Sequence, residues 1–401
     1  MNAPPWMTRT VAGIVVATFF SDVGHEMVTA VLTLYLATVG LGPAALGAME
    51  GAADLAFSLS KLLGGWVGHR VQRKRPLVAA GYLVTMIGTG LIALVRSLAA
   101  VMSLRAFAWF GRGFRSPLRD FLLADEVGPT HFGRAYGVER AADMIGAVAG
   151  PLLAALLVWA GTGFRDVILW SMIPSALAVA AILVLTRDRA APAVAEPAPT
   201  APPTTATGAA LPRELWLFVA GVLLFGLGDF SRTFLILLAA RALGEAGGGA
   251  GVLSTAVLLY AGHNLISAIA AYPAGHLGDR WSKPRVLIGG YALGVVTNVV
   301  LAVAGASLPW LVVAIALSGV YIAVEETLEK AVVASILPRD RRSLGLGVLA
   351  SANALGDLGS SVFVGIMLAR GAPTIAFAVP AVVGALGVAW MATLVARGRL
   401  R

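Results

Sequence analysis

Long apolar runs alternate along this chain with short polar breaks rich in Arg, Lys, Gly and Pro. A helix of about 20 apolar residues matches the hydrocarbon thickness of a bilayer. The pattern therefore predicts membrane-spanning helices near 11–37, 44–68, 76–95, 98–124, 134–160 and 164–186. A second set follows near 213–241, 249–276, 285–305, 309–337, 343–368 and 374–396. Twelve spans put both termini on one side of the membrane. Between the sixth and seventh lies a Pro/Ala/Thr-rich stretch without periodicity, which reads as an extended linker. The expected fold is an all-α polytopic membrane protein. Its N-terminal six-helix bundle covers 1–189, the linker 190–212, and a C-terminal six-helix bundle 213–401.

Composition agrees with a membrane solvent. The 401 residues are 58% hydrophobic and only 13% charged, against about 45–50% and about 25% for soluble globular chains. A net charge of +9 would suit nucleic acid, but the basic residues are confined to short loops between apolar runs. One set of loops holds eighteen Lys and Arg, including Arg9, Arg70, Arg73, Arg134, Arg187, Arg280, Arg339 and Arg397. The opposite set holds four: Arg96, Arg165, Arg241 and Arg370. The positive-inside rule places the first set, and both termini, in the cytoplasm of a cell whose inner membrane the chain spans. The first apolar run reads as a retained helix, not a cleaved signal. There is no cysteine, which excludes disulfides, thiolate metal sites and cysteine nucleophiles.

The two halves repeat. GWVGHRVQRKR at 65–75 follows span two, and GHLGDRWSKPR at 275–285 follows span eight, at an offset of 210. Gly137 and Gly146 in span five match Gly347 and Gly356 in span eleven, and Asp54 matches Asn264, at that same offset. Two parallel six-helix repeats characterise one class of secondary transporters. The loop at 275–285, with Gly275, Asp279, Arg280 and Lys283, closely resembles the signature of the major facilitator superfamily. The N-terminal copy, with Gly65, Arg70 and Arg73, departs from it: His69 replaces the acid and Gln72 a glycine. In the family the acid latches one half against a neighbouring helix terminus. Gly137, Gly146, Gly150 and Pro151 in span five are similar to the motif of the family's drug/proton antiporters, with Ala154 and Ala155 replacing its last glycines. The resemblance implies twelve helices around a central cavity lined by spans one, four, seven and ten. It favours export, while tight helix packing without a say in direction stays open.

A charge at the bilayer centre costs at least about 2.5–3.5 kcal/mol, so ionisable residues deep in spans are functional candidates. Asp22, His25 and Glu26 share one face of span one and could take up and release protons, or form a structural cluster. Span seven offers Asp229 and Arg232, three apart. Span four carries Arg105, Arg112, Arg115 and Arg119, while its repeat mate carries Glu325 opposite Arg115 and Glu329 opposite Arg119, both at 210. Opposed basic and acidic faces suggest ion pairs that gate the cytoplasmic side. Binding of an anionic substrate by the arginines and static packing remain alternatives. Arg105 with Gly111 loosely resembles a proton-coupling motif of the family. Cheaper readings cover the rest: Arg140 with Asp143 and Glu326 with Lys330 as self-neutralising helix pairs, Glu50, Asp54 and Lys61 as a balanced stripe, and Asp125 paired with the loop arginines Arg70 and Arg73.

No phosphate-cradling loop, metal constellation or nucleophile–base set is legible, so no cofactor and no enzymatic activity are expected. The reading is a proton-driven exporter of a small polar or anionic solute that works by alternating access as a monomer. Its partners are the substrate, protons and the lipid bilayer, with no nucleic acid. Import with protons on the same fold is the alternative, and a membrane-embedded enzyme or sensor a remote one.

Overall fold

The computed structural model describes residues 4–38, 43–189, 211–231, 233–242, 255–304 and 307–400. Residues 190–210 of the predicted linker at 190–212, and Arg232, lie outside the described residues. The N-terminal half contains α1 (Arg9–Thr38), α2 (Pro43–Arg70), α3 (Arg75–Leu91), α4 (Leu98–Glu126), α5 (Phe132–Trp159), α6 (Phe164–Trp170) and α7 (Met172–Leu185). The C-terminal half contains α8 (Arg213–Gly226), α9 (Thr233–Ala242), α10 (Thr255–Arg280), α11 (Lys283–Ala304), α12 (Leu308–Ile336), α13 (Arg342–Ala369) and α14 (Pro373–Ala396). No strand occurs among the described residues. Among the described residues, eight spans are long and apolar enough to cross a membrane by length and composition alone. Of the helices outside these eight, α4 carries five ionisable residues from Arg105 to Asp120, and α8 and α9 are each short.

Element boundaries keep the 210-residue repeat. Helices α4 and α12 start and end 210 positions apart, and so do α5 and α13. Within the first half, α1 packs on α5 and α7, α2 on α4, and α3 on α4 and α7. Within the second, α10 and α11 pack on α12, and α8 packs on α13 and α14. The halves meet through α2 against α13 and α5 against α10. Both seams depend on glycine: a Cβ at Gly65 would lie 2.8 Å from the Gly347 Cα, and one at Gly275 would collide with the Gly133 carbonyl. Small residues let helices approach to backbone contact, which drives association where lipid offers no hydrophobic gain.

Span six is divided at Ser171 into α6 and α7, and span seven is broken more deeply. Helix α8 ends at Gly226 and the chain runs irregularly through Asp229 and Phe230 before α9 begins. Continuous apolar periodicity over 213–241 hides this break, because Gly226 and Gly228 read as small packing residues as readily as helix ends. The freed Gly228 carbonyl accepts a hydrogen bond from Asn298 Nδ2 at 2.7 Å. Irregular backbone survives at membrane depth only where protein or a watery cavity satisfies it. The start of α3 is capped from afar: Asp188 accepts from the Lys74 and Arg75 amides at 2.8 and 3.0 Å. A carboxylate at a helix N-terminus satisfies orphan amides and opposes the dipole. Beside it, burial pushes the Lys74 ammonium down from its ordinary pKa.

Candidate functional site

The centre of the site is the seam between α1 and α5. A Cβ at Gly146 would lie 2.7 Å from the Phe19 carbonyl and 3.0 Å from the Asp22 Cβ. One at Gly150 would lie 2.7 Å from both the Glu26 Cβ and the Val23 carbonyl. The glycines of span five are thus the surface on which the acids of span one rest. Pro151 follows directly inside α5. Replacing Gly150 with Leu is expected to push α1 off α5, costing about 1–3 kcal/mol by overpacking and displacing Glu26. A lower midpoint of thermal unfolding in detergent, with loss of transport, is the outcome to measure. An unchanged midpoint would mean that the seam is not close-packed.

Two charged side chains flank Asp22. Its carboxylate takes Arg112 Nη2 at 2.5 Å, and Asp143 on α5 is its acidic neighbour. Two ionised carboxylates are acceptors only, so a bond between them requires a shared proton. Asp143 in turn takes Arg140 Nη1 at 2.6 Å, and that same nitrogen reaches Glu326 Oε2 on α12 at 2.8 Å. A continuous line therefore runs from Arg112 through Asp22, Asp143 and Arg140 to Glu326, crossing from one half to the other. His25 is buried with its ring edge-to-face against Trp109, centroids 5.1 Å apart. Glu26 is partly buried one turn beyond Asp22.

The span-four arginines find other partners than the acids expected. Arg115 donates to Thr85 and Ser21, each at 2.7 Å, and lies over the Tyr82 ring. Arg119 is paired with Asp120 at 3.0 Å and Glu139 at 2.9 Å. Arg105 is buried near the Trp109 ring. Among the described residues neither Glu325 nor Glu329 forms an ion pair with any of them. Side-chain stripes establish which face a charge occupies but not which neighbour reaches it first, and Asp22, Ser21 and Glu139 are nearer. The cross-half ion pairs come from elsewhere. Lys330 lies 3.6 Å from Asp120 and 3.8 Å from Glu139, and Arg140 bridges to Glu326. Arg140 pairs with Asp143 along its own helix as the spacing predicts, but Glu326 and Lys330, expected to pair with each other, instead reach partners on the opposite half and tie the halves together.

On the other wall, Tyr321 donates to Asp229 at 2.5 Å at the break between α8 and α9. Glu329 accepts from Tyr291 and, at 2.6 Å, from Asn353. Glu325 is 7% exposed. The expected partner of Asp229, Arg232, falls outside the described residues.

The linker end carries the locks. Asp279 accepts from the Gly133 and Arg134 amides, both at 2.9 Å, and holds Lys283 at 3.2 Å, so the second half caps the start of α5. In the other copy His69 cannot accept from two amides; its Nδ1 donates instead to the Asp340 carbonyl at 2.8 Å. Arg70 is exposed and stacks on Trp66, while Arg73 and Arg280 are exposed. Asp125 does not meet Arg70 or Arg73. Arg339, the first residue of the loop before α13, grips it through two nitrogens and also donates to the Arg189 carbonyl. This hydrogen bonding holds the Arg339 guanidinium above its ordinary pKa. Replacing Asp125 with Asn is expected to remove about 1.5–3 kcal/mol of charge-assisted bonding and shift the halves toward opening at this end. A single cysteine replacing buried Ser343, in a chain with no other cysteine, should then label at least tenfold faster. Equal labelling rates would show that the lock carries no such weight.

Among the described residues no group of three or more His, Asp or Glu is arranged to hold a metal. The two halves thus face each other across a charged core, with a broken seventh span beside it. The family model described as Major Facilitator Superfamily matches residues 14–262 and 236–400. The chain belongs to the Major Facilitator Superfamily. A superfamily relative, an uncharacterised MFS-type transporter of Methanocaldococcus jannaschii, is 25% identical over 86% of this chain and 85% of its own length. A multidrug resistance protein B homolog of Mycobacterium tuberculosis is 29% identical over 46% of this chain and 34% of its own. Among solved superfamily structures, the human organic anion transporter MFSD10 shares the fold with a TM-score of 0.74 at 16% identity, covering 97% of this chain and 100% of that one.

The cost of burying charge in a span led to Asp22 and Glu26, and the superfamily motifs led to Gly146, Gly150 and Asp279. They did not lead to Asp143, Asp120, Glu139, Lys330 or Arg339. One available signal was missed: Asp120 and Lys330 stand 210 apart with opposite charge.

Proposed function

We propose that this superfamily transporter is a proton-coupled exporter of a small polar or anionic solute, with Asp22, His25, Glu26 and Asp143 handling the proton. The observation that carries the reading is the Asp22–Asp143 carboxyl pair. It has room for one proton and is wired through Arg140 to Glu326 on the opposite half. Proton loss from the pair strengthens its hold on Arg140, and proton gain loosens it, so occupancy biases the cross-half bridge. The antiporter-like glycines at 137, 146 and 150 and the similarity to a multidrug resistance homolog support the outward direction. The domain division is proposed as 1–189 and 213–401 around a linker at 190–212. The basic loops place the linker and both termini in the cytoplasm, in a multi-pass protein of the inner membrane acting as a monomer. Arg112, Arg115, Arg119, Asp229, Arg232, Glu325 and Glu329 are proposed to line the substrate path or gate.

The test is a growth-inhibition panel in an efflux-deficient bacterial host expressing wild type or Glu26→Gln at matched membrane levels. Lipophilic cations, organic acids, phosphonates and metal chelates are the compounds. Resistance to one class that vanishes in the variant supports proton-driven export. Hypersensitivity of wild-type cells would point to uptake and overturn the direction.

A further inference from the structure

The two walls of the central site are unequal in a way that speaks to what they hold. On the N-terminal wall, Arg112 spends one nitrogen on Asp22, while its Nη1 is buried without a hydrogen-bond partner. The Trp109 indole nitrogen, on the same helix and with its ring 5.9 Å from the Arg112 guanidinium, is likewise buried and unpartnered. These are two donors with no acceptor. On the C-terminal wall, Glu325 is more than nine-tenths buried and forms no ion pair among the described residues. The charges that bear on it most are Asp229, Glu329, Asp357 and Glu326, every one an acid. Among the described residues this is an acceptor with no cation.

Burying a charged group without a counterpart costs several kcal/mol, and unpaired buried donors cost about 1–3 kcal/mol each. A fold keeps such groups where something else completes them. The walls belong together: the line from Arg112 through Asp22, Asp143 and Arg140 ends on Glu326, the residue beside Glu325. Glu325 is the repeat mate of Arg115, three residues from Arg112 along the helix, so the two unmet needs differ in depth by about 4.5 Å.

We propose that the transported solute is a small zwitterion, its carboxylate or phosphate bound by Arg112 and Trp109 and its ammonium by Glu325. The assignment rests on reading the centre of this molecule as the transport site, and it narrows the polar or anionic class to solutes that also carry an amine. An anion alone would leave Glu325 without a cation among the described residues. A cation alone would leave the two donors of α4 unmet.

The test uses the purified full-length protein and a thermal-shift screen of amino acids, dipeptides and aminoalkylphosphonates. Each is run beside its N-acetyl derivative, which lacks the cation, and its decarboxylated or dephosphonylated amine, which lacks the anion. A zwitterion that stabilises the protein while both partners bind at least tenfold more weakly is the expected result. Glu325→Gln should then lose at least tenfold in affinity for the zwitterion and leave weak N-acetyl binding unchanged. Arg112→Gln should do the converse for the amine. Equal stabilisation by an N-acetyl derivative, unchanged zwitterion affinity in Glu325→Gln, or no stabilisation by any compound overturns the proposal. Proton release on adding the bound zwitterion to proteoliposomes is read separately. Binding without proton movement would leave the zwitterion site standing and sink the proton-coupled reading.

Discussion

A valine at position 275 is expected to abolish turnover while leaving each half folded. Gly275 lies where α10 crosses α5, and any Cβ there would collide with the Gly133 carbonyl, which is backbone and cannot rotate away. Asp279, one helical turn on, could then no longer reach the Gly133 and Arg134 amides. The linker end would stay open. Because a packed interface has discrete arrangements and does not deform continuously, the expected effect is arrest and not slowing. Transport should fall below about 1% of wild type, the scale of a shift of about 3 kcal/mol in a conformational equilibrium. A single cysteine at position 343 should label as fast as in a fully open protein. The thermal midpoint should change little, because the disrupted packing lies between the halves and each bundle keeps its own core. Normal transport by Gly275→Val would mean that closure of this end does not require the close crossing of α10 and α5.

The second large effect is expected at Asp22. Replacing it with Asn keeps the shape but removes the carboxylate that neutralises Arg112, and breaking a buried pair in this way costs about 3–5 kcal/mol. It also removes one half of the Asp22–Asp143 pair proposed to share a proton, so the proposed proton-driven transport should disappear. Stability and coupling can be separated with Asp22→Asn combined with Arg112→Gln, which removes both charges. The double variant should recover most of the thermal midpoint and still show no substrate-driven proton movement in proteoliposomes. Recovery of transport in the double variant would make Asp22 a structural partner of Arg112 and no more.

Much of the architecture was legible from the chain alone, because helix length against bilayer thickness and a fixed repeat offset are both one-dimensional facts. The register of α5 against α13 follows from Gly137 and Gly347 before any coordinates. The break at Asp229 was not legible, since a glycine inside an apolar run reads as packing. The site was half legible. Asp22, Glu26 and the span-five glycines were singled out from two different spans by cost of burial and by resemblance, and the structure brings them into contact. Asp143 was set aside because Arg140, three residues away, accounts for its charge. That account holds only within one helix, and its second contacts, to Asp22 and through Arg140 to Glu326, depend on how three helices pack. Asp125 shows the same limit: Arg70 and Arg73 lie close in sequence logic, but the loop before α13 delivers Arg339 to it instead.

The pairing of Asp120 with Lys330 has an evolutionary corollary. These two residues occupy the same position in the two repeats, so the site near the internal axis is one that meets its own copy. In an ancestor assembled from two identical polypeptides, any charge there would have faced itself and repelled. Attraction at this point is available only to copies that differ in sequence. A dimer built from two isolated N-terminal halves would set Asp120 against Asp120, and the fused chain has traded that symmetry for an internal bond.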